Sequence, residues 1–191
     1  MKVCVFAASS SRIDGEYRDA AAALGKIMAE AGFGVVFGGG GIGLMGTLAD
    51  SVLASGGKIT GVIPGFMQKE GWGHSGLTEM IVTEDMSQRK KTMFSLSDAV
   101  VALPGGVGTL EELTEAITLK QLSLFDGPII ILNTGGYYDT FLAFIDHMVQ
   151  NQFMRFEHKG IWEVVDTPEQ VIAALNNRNR GNEEWRKIAK I

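Results

Sequence analysis

Val100-Val101-Ala102-Leu103-Pro104-Gly105-Gly106-Val107-Gly108-Thr109-Leu110-Glu111-Glu112 reads as a buried strand that runs into a glycine loop and then opens a helix. Asp98 to Leu103 is a short apolar, β-branched run of the length expected of a parallel strand. Pro104 brings no backbone donor to the sheet, and Gly105, Gly106 and Gly108 allow close approaches that a Cβ would block. Thr109 is a candidate N-cap, with Leu110, Leu113 and Ile117 at helical spacing behind it. A corner of this kind offers unpaired N–H groups and the positive end of a helix dipole, both of which favour a phosphate.

Glu111 and Glu112 follow at once, and this is less expected beside a phosphate site. One reading of Glu112 is a capping box, Thr109-x-x-Glu112, its carboxylate returning to the Thr109 N–H. The other is a carboxylate held close to a phosphate-anchored substrate. Local pattern leaves both open.

Outward from this corner the chain alternates strands and helices. Lys2 to Ala7 is a strand ending in Ala8-Ser9-Ser10-Ser11, and Tyr17 to Ala31 is an alanine-rich helix stopped by Gly32. Phe33 to Phe37 leads into Gly38-Gly39-Gly40-Gly41-Ile42-Gly43-Leu44-Met45-Gly46. Gly41-x-Gly43-x-x-Gly46 has the form of a dinucleotide fingerprint, but it follows the second strand. The next strand, Lys58 to Ile63, ends in Pro64-Gly65 without the acid that would hold a ribose diol. These glycines read either as a phosphate or ribose wall or as a close helix–sheet contact. Pro64 to Gly76 reads as a long irregular loop in which Trp72 and His74 either meet a base or pack the loop down. Glu79 to Thr83 is a strand, and the helix after it runs through Leu96. This helix carries Arg89, Lys90 and Lys91 near its start, where the dipole disfavours cations. They form either a solvated basic turn or one wall of the crevice, Arg89 leading as a bidentate contact. Strand Pro128 to Leu132, helix Tyr137 to Gln150, strand Ile161 to Val165 and helix Pro168 to Leu175, capped by Thr167, complete the pattern. The alternation predicts an α/β, Rossmann-like, doubly wound, mostly parallel sheet covered on both faces.

The bulk properties narrow the function classes. The length of 191 residues suits one domain, here 1–177, with a charged extension over 178–191 around Trp185. A net charge of −5 argues against a general nucleic-acid-binding surface. No apolar run approaches the roughly 20 residues that span a bilayer, and the amino terminus enters a strand pattern without a signal-peptide region. The single Cys4 reads as a core residue, and His74, His147 and His158 lack metal-ligand spacing. The expectation is a cytoplasmic protein with no membrane or nucleic-acid partner, no metal and no cofactor.

Four motifs together, Gly39-Gly40-Gly41-Ile42-Gly43-Leu44-Met45-Gly46, Gly61-Val62-Ile63-Pro64, Met86-x-x-Arg89-Lys90 and Pro104-Gly105-Gly106-x-Gly108-Thr109-x-x-Glu112, resemble the Lonely Guy family. Its members are cytokinin riboside 5′-monophosphate phosphoribohydrolases. The resemblance covers Lys2 to about Leu175. It implies a Rossmann-like homodimer that hydrolyses the N-glycosidic bond of an adenine nucleoside 5′-monophosphate. It would make Arg89 and Glu112 catalytic. It would assign substrate binding to Glu79, Lys90, Gly105, Gly106, Val107, Gly108, Thr109, Leu110 and Glu111, with Ser9, Gly39, Gly40, Met86 and Thr118 beside them. Ser87, Ala7-Ala8 and Phe156 depart from the family's usual His, Cys-Gly and Pro. Some relatives carry a lysine decarboxylase label, yet no lysine here is marked for a pyridoxal Schiff base.

Breaking a ribosyl–adenine bond passes through a cation-like sugar, as glycoside hydrolysis does. An ionised Glu112 facing the ribose would stabilise that cation and orient or deprotonate water, with Arg89 helping to fix the phosphate or ribose and keeping Glu112 charged. A non-catalytic nucleotide or cofactor carrier on the same fold would keep the glycine loops without turnover. A nicotinamide oxidoreductase lacks its ribose acid, and a single-strand DNA binder lacks a basic, aromatic-lined groove.

Overall fold

Apolar runs too short to be helices, separated by amphipathic helices, pair side by side once both their faces are covered. In the computed structural model, which describes residues 1–176 and Trp185, seven strands form one parallel sheet. They are β1 (Lys2–Phe6), β2 (Gly34–Phe37), β3 (Ile59–Pro64), β4 (Glu79–Thr83), β5 (Ala99–Ala102), β6 (Ile129–Leu132) and β7 (Trp162–Val165), in the order β4-β3-β2-β1-β5-β6-β7. The helices are α1 (Gly15–Glu30), α2 (Gly43–Ala54), α3 (Gly65–Lys69), α4 (Met86–Ser95), α5 (Val107–Gln121), α6 (Asp139–Gln150) and α7 (Pro168–Asn176). The chain winds outward from β1 to β4, then crosses back to β5 and winds the other way. The reversal opens a crevice at the carboxyl ends of β1 and β5, where open α/β sheets take ligands. There the Ala8 N–H donates to Pro104 O at 3.3 Å.

Period-two alternation sorts the strand side chains between two cores. Val3, Val5, Val35, Phe37, Val101 and Ile130 face α1, α2 and α7. Cys4, Phe6, Val36, Val100, Ala102 and Ile131 face the side of Met93 in α4, Leu113 and Ile117 in α5 and Tyr138 before α6. Both faces of the central strands are buried, so their sequences read as continuous apolar runs. Cys4 is fully buried, as expected of a core residue.

Several local expectations need correction. The loop after β3 is not wholly irregular, because Gly65–Lys69 forms the short α3. Helix α5 begins at Val107 with an extended Gly106 as N-cap, so Thr109 lies inside the first turn and is no cap. A 3-10 turn (Thr134–Gly136) precedes α6, and another (Phe156–Ile161) precedes β7. The extension over 178–191 lies outside the described residues except for Trp185, whose ring sits 6.4 Å from that of His158.

Candidate active site

The glycine loop after β5 is held from both sides. A Cβ at Gly105 would lie 2.1 Å from Thr109 Oγ1, so only glycine lets the loop fold back on its own helix. The Tyr137 hydroxyl donates to Gly105 O at 2.6 Å, and the Tyr138 hydroxyl donates to Leu103 O at 2.7 Å. The result presents the first turn of α5, whose leading N–H groups have no partner within the helix. Nothing lies within 4 Å of the Cβ positions of Gly106 and Gly108, which leaves room for a ligand.

Helix α4 supplies the cation. Asp85 caps it, its carboxylate accepting from the Gln88 N–H at 2.7 Å. One turn on, Arg89 is buried, and its guanidinium is bound by three other segments. Nε donates to Val62 O in β3 at 3.0 Å, and Nη2 to Gly38 O after β2 at 3.3 Å. Nη1 donates to Glu112 Oε1 in α5 at 2.8 Å. The solvated-turn reading therefore fails for Arg89, and Lys91 is the exposed member of the run. The capping-box reading of Glu112 fails too: the carboxylate turns to Arg89, and α5 is capped at Gly106. Burial pushes the Glu112 carboxyl above its usual range, and the Arg89 charge and hydrogen bond only partly offset this. Lys90 is paired with Glu111 and, at 2.7 Å, with Glu115.

A cavity of about 590 Å³ opens above this pair. Of the residues expected from sequence, Ser9, Gly40, Met86, Arg89, Gly106, Val107, Gly108, Thr109, Glu111 and Glu112 line it. Gly39, Lys90, Gly105 and Leu110 stand in or beside the same segments without forming its wall. Glu79 and Thr118 are elsewhere. Glu79 opens β4, at the amino end of a parallel strand, while the cavity lies at the carboxyl ends; there it accepts from the Thr60 hydroxyl at 3.2 Å. Thr118 is six residues beyond Glu112, about 9 Å along the axis of α5, where its hydroxyl donates to Thr114 O at 2.8 Å. The expected site residues left out Ala7, Ala8, Gly38, Ile42, Met45, Ile63 and Met67 of the wall, although Gly38 and Met45 belong to the glycine run read as a possible phosphate or ribose wall. Gly38 had one signal, its place in a run of four glycines just after a strand.

The two aromatic candidates of the loop separate. His74 packs the loop down: its Nε2 pairs with Asp50 Oδ1 at 3.0 Å, and its Nδ1 accepts from the Gly76 N–H at 3.0 Å. Trp72 lines the cavity. In the dinucleotide-like motif, Gly43 and Gly46 serve close packing. A Cβ at Gly43 would meet Ser10 O at 2.6 Å, and one at Gly46 would meet Gly41 O at 2.5 Å.

Comparison with known proteins gives the family and the fold. The family model described as "Possible lysine decarboxylase" matches residues 45–175. A probable cytokinin riboside 5′-monophosphate phosphoribohydrolase of Oryza sativa subsp. japonica is 39% identical over 96% of this chain and 75% of its own length. A cytokinin riboside 5′-monophosphate phosphoribohydrolase of Arabidopsis thaliana is 44% identical over 80% of this chain and 72% of its own. Among solved structures, the molybdenum cofactor carrier protein of Chlamydomonas reinhardtii superposes with a TM-score of 0.71 at 23% identity, covering 92% of this chain and 96% of that one. The DNA processing protein A of Helicobacter pylori does so with a TM-score of 0.55 at 13% identity, covering 93% and 80%. These two likenesses are of fold alone. No lysine lines the cavity described above, so the wall has no Schiff-base candidate for a decarboxylase.

Proposed function

This chain belongs to the Lonely Guy family of cytokinin riboside 5′-monophosphate phosphoribohydrolases, and from that premise we propose that it hydrolyses the N-glycosidic bond of adenine-type nucleoside 5′-monophosphates. The products are the free base and ribose 5-phosphate. The observation that carries the reading is the buried Arg89–Glu112 pair in the wall of a cavity that also holds the open first turn of α5.

The 5′-phosphate binds the N–H groups of the Gly106 to Thr109 turn, aided by the helix dipole. This anchoring sets the ribose over Glu112. Glu112 Oε1 is held by Arg89, and the other carboxylate oxygen serves the ribose or the attacking water. As the bond to the base lengthens, positive charge grows at the anomeric carbon, and the fixed carboxylate stabilises it. The same carboxylate accepts a proton of the water that adds there, while the base departs with the electron pair of the broken bond and takes up a proton from solvent, so the net change is addition of one water. The raised pKa of Glu112 brings it closer to the strength a base needs near neutrality. Arg89 holds Glu112 in place and favours its charged form. The mechanism uses side chains and backbone of this chain and calls for no metal or redox cofactor.

Incubation with AMP and with isopentenyladenosine monophosphate, followed by chromatography for free base and ribose 5-phosphate, tests the reading. Release of base from either supports it. Tight binding without release would favour a carrier, the role named for the Chlamydomonas neighbour. The family also implies a homodimer in the cytoplasm. Phe144, Phe153 and Phe156, exposed at 55%, 87% and 71%, support a surface that a second copy covers. Light scattering at micromolar concentration checks this, with a dimer mass expected.

A further inference from the structure

Arg89 holds Glu112 steady only if its own acceptors hold still, and one of them belongs to a soft stretch of backbone. Gly38 O, 3.3 Å from Nη2, opens the run of four glycines from Gly38 to Gly41. Glycine has the widest choice of backbone conformations and no side chain to pack, so such a run stays in one conformation only when braced from outside. Gly39 already sits at φ +76°. The brace is a second segment of chain. The Gly41 N–H donates to Trp72 O at 3.0 Å, the His74 N–H donates to Gly39 O at 2.9 Å, and Gly40 and Gly73 form an antiparallel bridge between them. Trp72 to His74 is thus a short ribbon laid along the glycine run, so close that a Cβ at Gly41 would lie 3.3 Å from His74 Cα.

A pairing this short is not stable by itself, and the ribbon lies in the connection between α3 and β4. The His74 side chain ties it to a regular element. Nδ1 accepts from the Gly76 N–H at 3.0 Å, so the ring proton is on Nε2, which donates to Asp50 Oδ1 in α2 at 3.0 Å. Helix α2 starts just after the glycine run, at Gly43, so the tie closes a ring: glycine run, α2, Asp50, His74, ribbon and back to the run. The His74 side chain is 12% exposed, whereas that of Asp50 is 76% exposed. Neither lines the cavity. Among the described residues the Asp50 carboxylate makes no other hydrogen bond or ion pair.

We propose that His74 and Asp50 are positioning residues: they brace the glycine run so that the Gly38 carbonyl holds the Arg89 guanidinium, and through it Glu112, in register with the ribose. The catalytic half of this rests on the hydrolase reading above. The test is kcat and KM for AMP in Asp50→Ala, Asp50→Asn, His74→Asn, Gly38→Ala and the double variant Gly38→Ala, Asp50→Ala. Beside it, hydrogen exchange is followed by NMR at the Gly41 and His74 amides and at Arg89 Nε–H. Asp50→Ala, a change on an exposed side chain, should lower kcat by about three- to tenfold and leave KM within about twofold, because misalignment is felt most in the transition state. Asp50→Asn keeps the acceptor oxygen and should retain most of the rate. His74→Asn can still accept from the Gly76 N–H but cannot reach Asp50, so it should match Asp50→Ala. In Gly38→Ala the guanidinium is already displaced, and adding Asp50→Ala should change kcat little. Exchange at all three N–H groups should quicken in Asp50→Ala. A wild-type kcat in Asp50→Ala, no rescue by Asp50→Asn, or losses that multiply in the double variant would overturn the inference. If wild type releases no base from AMP, the hydrolase reading fails separately; unchanged exchange in Asp50→Ala would then sink the brace, and faster exchange would uphold it.

Discussion

Glu112 and Arg89 are each buried against the other, so changing one alone has two effects. Glu112→Gln removes the charge a ribosyl cation needs, and turnover should fall by roughly a hundredfold or more while nucleotide still binds. It also leaves the Arg89 charge without its counter-ion, at a cost of about 3 kcal/mol or more in stability. Chemical denaturation checks the second effect. The double variant Arg89→Met, Glu112→Leu should recover much of that stability and stay inert. The pH dependence has an opposed pair of signs. Burial raises the Glu112 pKa, so kcat/KM should fall on acidification through an apparent pKa above the ordinary glutamate value. Over the window between those two values this group alone makes the fold more stable as pH falls, because the folded state holds the proton more tightly. A pH–rate profile set beside melts of wild type and Glu112→Gln reads both. Gly38→Ala is the third test. Its Cβ would sit 2.0 Å from Arg89 Nη2, so the guanidinium must leave its three-way hold, and kcat/KM should drop by about tenfold or more. At this scale the sequence was partly readable. Three cations against a helix dipole marked α4 for attention. The pairing of Arg89 with Glu112 was expected only from the mechanism the resemblance implies; local pattern did not show it, because the pairing crosses β5 and the pattern also offers Glu112 a capping role. Gly38 gave no sign of its partner either, since a glycine's reason lies in what approaches it.

Among the elements, the turn between β6 and α6 does most to hold the glycine loop. Adjacent tyrosines grip the carbonyls on either side of Pro104, Tyr138 at Leu103 and Tyr137 at Gly105. Tyr138→Phe strips a buried carbonyl of this donor and should cost about 1–3 kcal/mol, measured by urea unfolding. Tyr137→Phe loosens the loop proposed to seat the phosphate, so KM should rise more than kcat falls. The strands were legible because the sheet is parallel and covered on both faces, which turns each one into a compact apolar run. Helix starts were less so. Nothing local favours Val107 and Gly108 as helix formers, and α5 begins there because Gly105 packs on Thr109 and Gly106 adopts an extended cap. The separation of Glu79 from the cavity has a similar origin. A resemblance transfers residue identity, whereas strand direction puts the first residue of β4 at the end of the sheet away from the cavity.

For the molecule as a whole, the winding reversal between β1 and β5 puts the glycine loops after β2 and β5 at one crevice, and alternation predicted the doubly wound sheet that makes such a crevice. It did not predict which residues would meet there. The three histidines end up apart from the cavity wall, in the loop before β4, in α6 and in the turn before β7. Activity should therefore survive EDTA, and loss on chelation restored by a divalent ion would contradict the mechanism. The hold on Arg89 carries a further consequence. Its bonds come from β3, from the end of β2 and from α5, so the guanidinium finds its place only after strands on both sides of β1 have joined the sheet. Catalytic competence is thus a late reporter of assembly. During refolding from urea, the far-ultraviolet helical signal should return before the ability to release base, and a half-built chain would leave the cell's nucleotides untouched.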